Sequence, residues 1–175
     1  MEIRVDESAT GRDGVGLWPL YAEVFGDHEH FDGWRAAVGD RHRGRDGFRI
    51  ARVDAGDGLA GFAYGYTGER GQWWTDHAAE VLEPSVGDSW LGGHFELVSI
   101  AVRPDARRGG VGTGLMRALT DGLPHQRLLL MTSADDRDPA RALYAREGWD
   151  VIGRGIGKGT VIMGKLNGGQ RPAAP

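Results

Sequence analysis

Apolar positions along this chain recur at two spacings, every second residue or every third to fourth, and each change of period marks a new element. Ile3–Val5 is a short apolar run that predicts a strand. Trp18–Phe25 sets Leu20, Tyr21, Val24 and Phe25 on one helical face, and Phe31–Gly39 repeats the pattern with Phe31, Trp34 and Val38. Phe48–Val53 and Leu59–Tyr66 read as strands. The turn residues Asp54-Ala55-Gly56-Asp57-Gly58 between them predict an antiparallel hairpin. Trp73–Leu82 reads as a helix and Glu83–Gly93 as a loop.

Phe95–Val102 (FELVSIAV) is apolar on both parities except at Glu96 and Ser99, the mark of a central strand covered on both faces. Pro104 stops it. A glycine-rich loop, Asp105–Gly112, leads into a helix of about ten residues with Leu115, Leu119 and Leu123 in one stripe. Pro124 ends that helix, and Arg127–Thr132 is a second buried strand. Asp138-Pro139 supplies an N-cap and a first-turn proline for another helix. Its inner face is Ala140, Leu143 and Tyr144, and Gly148 caps it. Val151-Ile152 and Thr160–Leu166 complete the sheet. The order β-α-α-β-β-(α)-β-α-β-α-β-β predicts an α+β fold in three layers, α/β/α. Its mixed, mostly antiparallel central sheet has six to seven strands flanked by helices. At its centre lies a βαβ crossover, Phe95–Thr132. Residues 1–167 read as a single domain, and 168–175, with nothing to bury, as a disordered tail.

Composition narrows the chemistry. The chain has 175 residues, 40% of them hydrophobic, enough for a core. It has no cysteine, which excludes disulfides and thiol chemistry and suits a reducing cytoplasm. No apolar run approaches the ~20 residues of a membrane span, and no secretory signal is expected from the charged start. With 21 basic and 25 acidic residues the net charge is −4, which disfavours nucleic acid as a partner. His28-Glu29-His30 does not bring two ligands onto one helical face and reads as a surface turn; no metal site is expected.

The segment that carries chemistry is Val102-Arg103-Pro104-Asp105-Ala106-Arg107-Arg108-Gly109-Gly110-Val111-Gly112-Thr113-Gly114. Between a buried strand and a helix, glycines let the backbone N–H groups converge. The helix N-terminus adds unpaired donors and partial positive charge, the makings of a pyrophosphate site. Arg107 and Arg108 add guanidinium groups that match phosphate oxygens. The loop lacks the lysine of a Walker A motif, and the third glycine of a dinucleotide fingerprint is absent after Gly112-Thr113-Gly114. It fits [Q/R]-x-x-G-x-[G/A]. With the strand before it and Pro139-Ala140-Arg141-Ala142-Leu143-Tyr144-Ala145-Arg146-Glu147-Gly148-Trp149 after it, the chain resembles the GCN5-related N-acetyltransferase (GNAT) family over Phe95–Trp149.

The resemblance implies an acetyl-CoA-dependent transferase that acetylates a primary amine of a small molecule or peptide by direct attack in a ternary complex. It implies that the Ile100–Ala101–Val102 backbone pairs with the pantetheine arm and that the Ile100 N–H polarises the thioester carbonyl. Arg107, Arg108, Gly109, Gly110, Val111, Gly112 and Thr113 would hold the pyrophosphate. Tyr144 would be the general acid and Glu96 the general base. At about 3.3 Å per residue Glu96 lies ~13 Å along the strand from Ile100, so the substrate amine or a water relay must span the gap. His94 competes for the role on its unperturbed pKa, although a surface place suits it better. The family's usual asparagine seven residues before the tyrosine is Arg137 here, a candidate phosphate contact. Trp73, Trp74 and Trp90, beside Asp76, Glu80, Glu83 and Asp88, are candidate contacts for a cationic or aromatic amine. A homodimer is compatible with all of this. Two rivals remain: an acyl-CoA-binding regulatory protein without transferase activity, and an interaction domain whose Arg/Gly loop meets nucleic-acid phosphate.

Overall fold

A computed structural model describes residues 2–9, 11–56 and 58–168. Residues 169–175, most of the expected tail, and Asp57 of the expected hairpin turn lie outside the described residues. The described chain forms two compact units, Met1–Tyr66 with Leu97–Asp121, and Thr67–Glu96 with Gly122–Pro175. Seven strands and seven α-helical segments occur among the described residues, in a mixed and mostly antiparallel arrangement.

In the first unit, β1 (Ile3–Asp6) pairs antiparallel with β2 (Arg49–Ala55), and β2 with β3 (Gly58–Gly68). The order continues to β4 (His94–Val102), whose later residues belong here. The β2–β3 hairpin matches the expectation, with a bulge at Val53/Asp54. One face of β3 presents Phe62, Tyr64 and Tyr66 to Leu17, Leu20 and Tyr21 of α1 (Gly11–Val24) and to Trp34 of α2 (Phe31–Trp34). Helix α1 starts seven residues before the expected Trp18 and runs through Pro19. Packing of its apolar face outweighs the poor helix propensity of its glycines. The expected helix Phe31–Gly39 is α2 followed by a π-helical turn, Arg35–Gly39, and then α3 (Asp40–Arg43). On the other side of β3 lies α6 (Val111–Thr120), which buries Val111, Leu115, Met116 and Leu119.

In the second unit the start of β4 pairs in parallel with β5 (Arg127–Ser133) through Phe95↔Leu128 and Glu96↔Leu129. Then β5 pairs antiparallel with β7 (Thr160–Leu166), and β7 with β6 (Asp150–Arg154). Helix α4 (Trp73–Val81) is as expected, but Glu83–Gly93 is not simply a loop: it contains α5, Pro84–Trp90. Gly87, Ser85 and Ser89 are weak helix formers and mask it in the sequence, while Pro84 fits its first turn. Ala78, Leu82, Leu91, Leu129 and Ile162 form the local core. Helix α7 (Pro139–Arg146) begins as expected, with the Asp138 carboxylate accepting from the N–H groups of Ala140 (2.8 Å) and Arg141 (3.2 Å).

His94 corrects the surface expectation. It is 0% exposed, accepts from the Gly92 N–H at Nδ1 (3.1 Å), and lies against Gly68. A Cβ on Gly68 would stand 2.2 Å from the imidazole Nε2. Burial, then the charge of Arg127, pushes the His94 pKa down to about 3, so the ring is neutral.

Two outcomes follow for stability. Gly68→Ala forces a methyl into a fixed, buried ring and should cost about 2 kcal/mol in urea denaturation. An unchanged midpoint would refute the close packing. The unfolded chain protonates His94 near pH 6.5 and the folded chain only near 3, so the unfolded state binds more protons between those values. Stability therefore falls as pH drops below 6.5 and is independent of this group above it. His94→Asn should flatten the dependence measured between about pH 5 and 6.5.

Candidate active site

The site candidates are distributed over both units. In the first unit β4 delivers Ile100, Ala101 and Val102, with Ala101 1% exposed and its neighbours half-buried. The chain leaves the strand through the Arg103 N–H, which donates to the Ala60 carbonyl of β3 at 2.9 Å. A short 3-10 turn, Pro104–Ala106, replaces the first part of the expected open loop. Its brace is a pair that the sequence reading did not single out: Arg103 Nε donates to Asp105 at 2.7 Å. Its only signal is a basic and an acidic residue on either side of a proline.

Arg107, Arg108, Gly109 and Gly110 are exposed. Arg108 (φ 66°) has positive φ, the only non-glycine residue described that does, and Gly110 (φ 79°) caps α6 from the same region. Arg107 turns back, its Nε donating to the Val102 carbonyl at 3.1 Å. The Arg107 N–H reaches Pro104 at 3.4 Å, and the next backbone donor engaged is Gly114, to the Gly110 carbonyl at 2.9 Å. Among the described residues the N–H groups from Arg108 to Thr113 therefore donate to no backbone carbonyl. Six consecutive exposed or first-turn amides, with the positive end of α6 behind them and two guanidiniums beside them, suit a diphosphate.

In the second unit Glu96 is 3% exposed and follows the ladder pair Phe95↔Leu128. It is thus not an exposed carboxylate at the start of a strand. Tyr144 is 5% exposed on α7, its ring 6.3 Å from that of Trp149. Burial, helped by the Asp138 carboxylate, raises its pKa and keeps the phenol protonated. Arg137 is exposed and bound to Asp135 at 3.1 Å, holding that carboxyl below the usual carboxylate range. Trp74 and Trp90 pack against the local core, whereas Trp73 is 60% exposed and stacks on His77 at 4.4 Å. Among the described residues no group of three or more His, Cys, Asp or Glu side chains could hold a metal ion, and no helix is long and apolar enough to cross a membrane.

Comparison with known proteins agrees with this arrangement. Residues 15–149 match the family model described as acetyltransferase (GNAT) family. A GCN5-like protein acetyltransferase of Mycobacterium tuberculosis is 35% identical over 104 residues. That match takes in 55% of this chain and 50% of the relative, so the chain spans about half the length of the curated relative it matches. Among solved structures, the ribosomal-protein-alanine N-acetyltransferase of Brucella melitensis superposes with a TM-score of 0.62 at 19% identity, covering 95% of this chain and 100% of that one. NAA60 of Arabidopsis thaliana, in complex with a bisubstrate analogue, gives 0.62 at 15% identity, covering 95% and 99%. At these identities the structures speak for the fold, and the family model, which takes in most of the chain, speaks for kinship. The chain belongs to the GNAT family of acetyltransferases, whose co-substrate is acetyl-CoA.

Proposed function

We propose that this chain transfers the acetyl group of acetyl-CoA to a primary amine of a small molecule or peptide, by direct attack within a ternary complex. The observation that carries the reading is the run of uncommitted amides from Arg108 to Thr113 at the start of α6. A polyanion is the ligand that such donors recognise. Arg107 and Arg108 supply the formal charge, and Gly109, Gly110, Val111 and Gly112 supply donors without side chains that would crowd the diphosphate.

The remaining roles follow from what amide formation needs. The amine must lose a proton, the carbonyl oxygen must be stabilised as charge develops, and the thiolate must be protonated as it leaves. The Ile100 N–H stabilises the oxyanion, and the Ile100–Val102 backbone aligns the pantetheine arm like an added strand. Both residues follow the last pair of the β4–β5 ladder, Glu96↔Leu129, along the strand. Glu96 takes the proton through water, because ~13 Å of extended strand separates it from Ile100. Tyr144 is protonated at neutral pH and donates to the sulfur. With its pKa raised above a thiol's usual ~8.5, it gives up the proton only as negative charge builds on sulfur, and water reloads it. Arg137 lies close enough in sequence to α7 to add charge toward a phosphate when it leaves Asp135. Trp73, with an exposed face, is the tryptophan free to meet a cationic acceptor; Trp74 and Trp90 would shape its surroundings.

Two measurements test this. Acetyl-CoA at ~100 times its Kd should stabilise the protein by about 2.7 kcal/mol in thermal melting, and Gly110→Val should remove most of that shift. Equal shifts in both proteins would refute the loop assignment. Tyr144→Phe should lower kcat at least tenfold, by the usual scale of general acid catalysis, with acetyl-CoA affinity unchanged. Unaltered kcat would take Tyr144 out of the mechanism.

A further inference from the structure

Lysine is scarce in this chain. Of its 21 basic residues only Lys158 and Lys165 carry a primary amine on the side chain, all the rest being arginine. The fold treats the two lysines oppositely. Lys165 is half-buried in β7, and its Nζ donates to the Glu147 carbonyl at 2.7 Å. Lys158 is exposed at the tip of the β6–β7 hairpin, and no hydrogen bond or ion pair of its ammonium occurs among the described residues.

The hairpin is open at its tip and fixed at its base. Gly157 (φ 88°) and Gly159 (φ 72°) flank the lysine in the left-handed region, and a Cβ on either would meet nothing within 4 Å. The backbone on both sides of Lys158 thus borders open space. Below the tip, the Gly155 N–H donates to the Thr160 carbonyl at 2.8 Å, and the Thr160 hydroxyl donates to the Ile156 carbonyl at 3.1 Å. A Cβ on Gly155 would stand 2.2 Å from Thr160 Oγ1, so that seat admits no side chain. A further tie fixes where the tip lies, for the Ala134 N–H donates to the Gly159 carbonyl at 2.8 Å. Ser133, the last residue of β5, pairs with Thr160. Residues 134–138 then lead into α7, whose second turn carries Tyr144, about 7.5 Å along the axis from the helix start. The exposed amine and the start of the helix that bears the proposed acid stand at one end of the second unit.

We infer that Lys158 is itself an acceptor, so that the protein acetylates its own chain at the tip of the β6–β7 hairpin. This rests on the acetyl-transfer reading above and names one primary amine that the reaction takes. The Lys158 ammonium gives a proton to Glu96 through water, and its Nζ lone pair attacks the thioester carbonyl carbon. The C–N bond forms as the C–S bond breaks, and the sulfur of coenzyme A leaves as the thiol with the proton from Tyr144. One ammonium becomes one neutral amide with net release of one proton, and no oxidant or reductant enters. Lys165 is not an acceptor, because an ammonium committed to a carbonyl within the sheet has no lone pair to offer.

The test incubates the whole protein with acetyl-CoA and no other amine at neutral pH, then reads the intact mass and the modified peptide by mass spectrometry. One added acetyl group is expected, on Lys158, with Lys165 unmodified. Lys158→Arg should abolish the gain and leave thiol release with added small amines unchanged. The folded protein should be modified at least tenfold faster than the chain unfolded in guanidinium chloride, which sets the uncatalysed rate. Thiol release with added small primary amines, measured on the same preparation, separates failure of this inference from failure of the reading beneath it. Release with an added amine but no acetyl group on Lys158 would overturn self-acetylation alone. Neither release nor gain would remove the transfer reading and this inference together. Equal rates in the folded and unfolded chain, or an acetyl group on Lys165 or the terminal amine in place of Lys158, would also overturn the inference.

Discussion

The amides at the start of α6 can meet a ligand only if the helix stands at one height and one tilt above β3, and what sets both is the absence of a side chain. A Cβ on Gly61 would lie 2.9 Å from the Ala101 carbonyl, 2.9 Å from Leu115 Cδ1 and 3.2 Å from Val111 Cγ1. The first turn of the helix is therefore seated directly on the backbone of β3. Gly114 makes the reciprocal concession, for a Cβ there would stand 2.8 Å from Ile3 of β1. Burial of Val111, Leu115, Met116 and Leu119 supplies the attraction, on the order of 2 kcal/mol for each large side chain removed from water. The two glycines decide where that attraction brings the helix to rest. A methyl group at Gly61, facing the Ala101 carbonyl, would lift the helix and re-aim the donors from Arg108 to Thr113, whereas at Gly114 the end of the Ile3 side chain has room to yield.

The second unit solves a different problem, that of keeping polar groups inside. His94 and Glu96 alternate with Phe95 and Leu97 at the buried start of β4. The imidazole is held neutral by its surroundings, with one nitrogen satisfied by the Gly92 N–H. Arg127 secures the same corner by donating to the Ser89 and Gly92 carbonyls at 2.6 and 2.8 Å, and so ties the end of α5 to β5. A buried acid or base is useful to catalysis only if its position is over-determined in this way, since a mobile buried charge would draw water in.

Much of this was legible from residue patterns, and the parts that were not share a cause. The double-sided apolar run of β4 and the Asp138-Pro139 start of α7 are local signals, and each element forms where its signal lies; α6 forms on Leu115 and Leu119 but ends at Thr120, short of the expected Leu123 and Pro124. The loop was legible because its signal is a local composition, glycine with arginine. Helix α5 and the first turns of α1 were hidden because glycine and serine argue against helix locally, while the burial that overrides them comes from residues distant in sequence. The burial of His94 was hidden for the same reason. Nothing near His94 says that Gly68, 26 positions earlier, leaves room for its ring. The π-helical turn, likewise, carries no sequence mark beyond the glycine that ends it.

Arg108 joins the local and the distant accounts. Its φ of 66° costs about 1 kcal/mol or more for a residue with a side chain, and glycines stand immediately after it that would take the conformation freely. Stability alone would favour glycine at 108 and arginine elsewhere. Arginine nevertheless stands there, exposed, at the head of the run of amides that donate to no backbone carbonyl. The strain is tolerable because both ends of the segment are fixed, at Arg103 by β3 and the Asp105 brace, and at Val111 by its seat on Gly61. A loop clamped at both ends can hold one unfavourable residue in place, and here that residue is an exposed arginine.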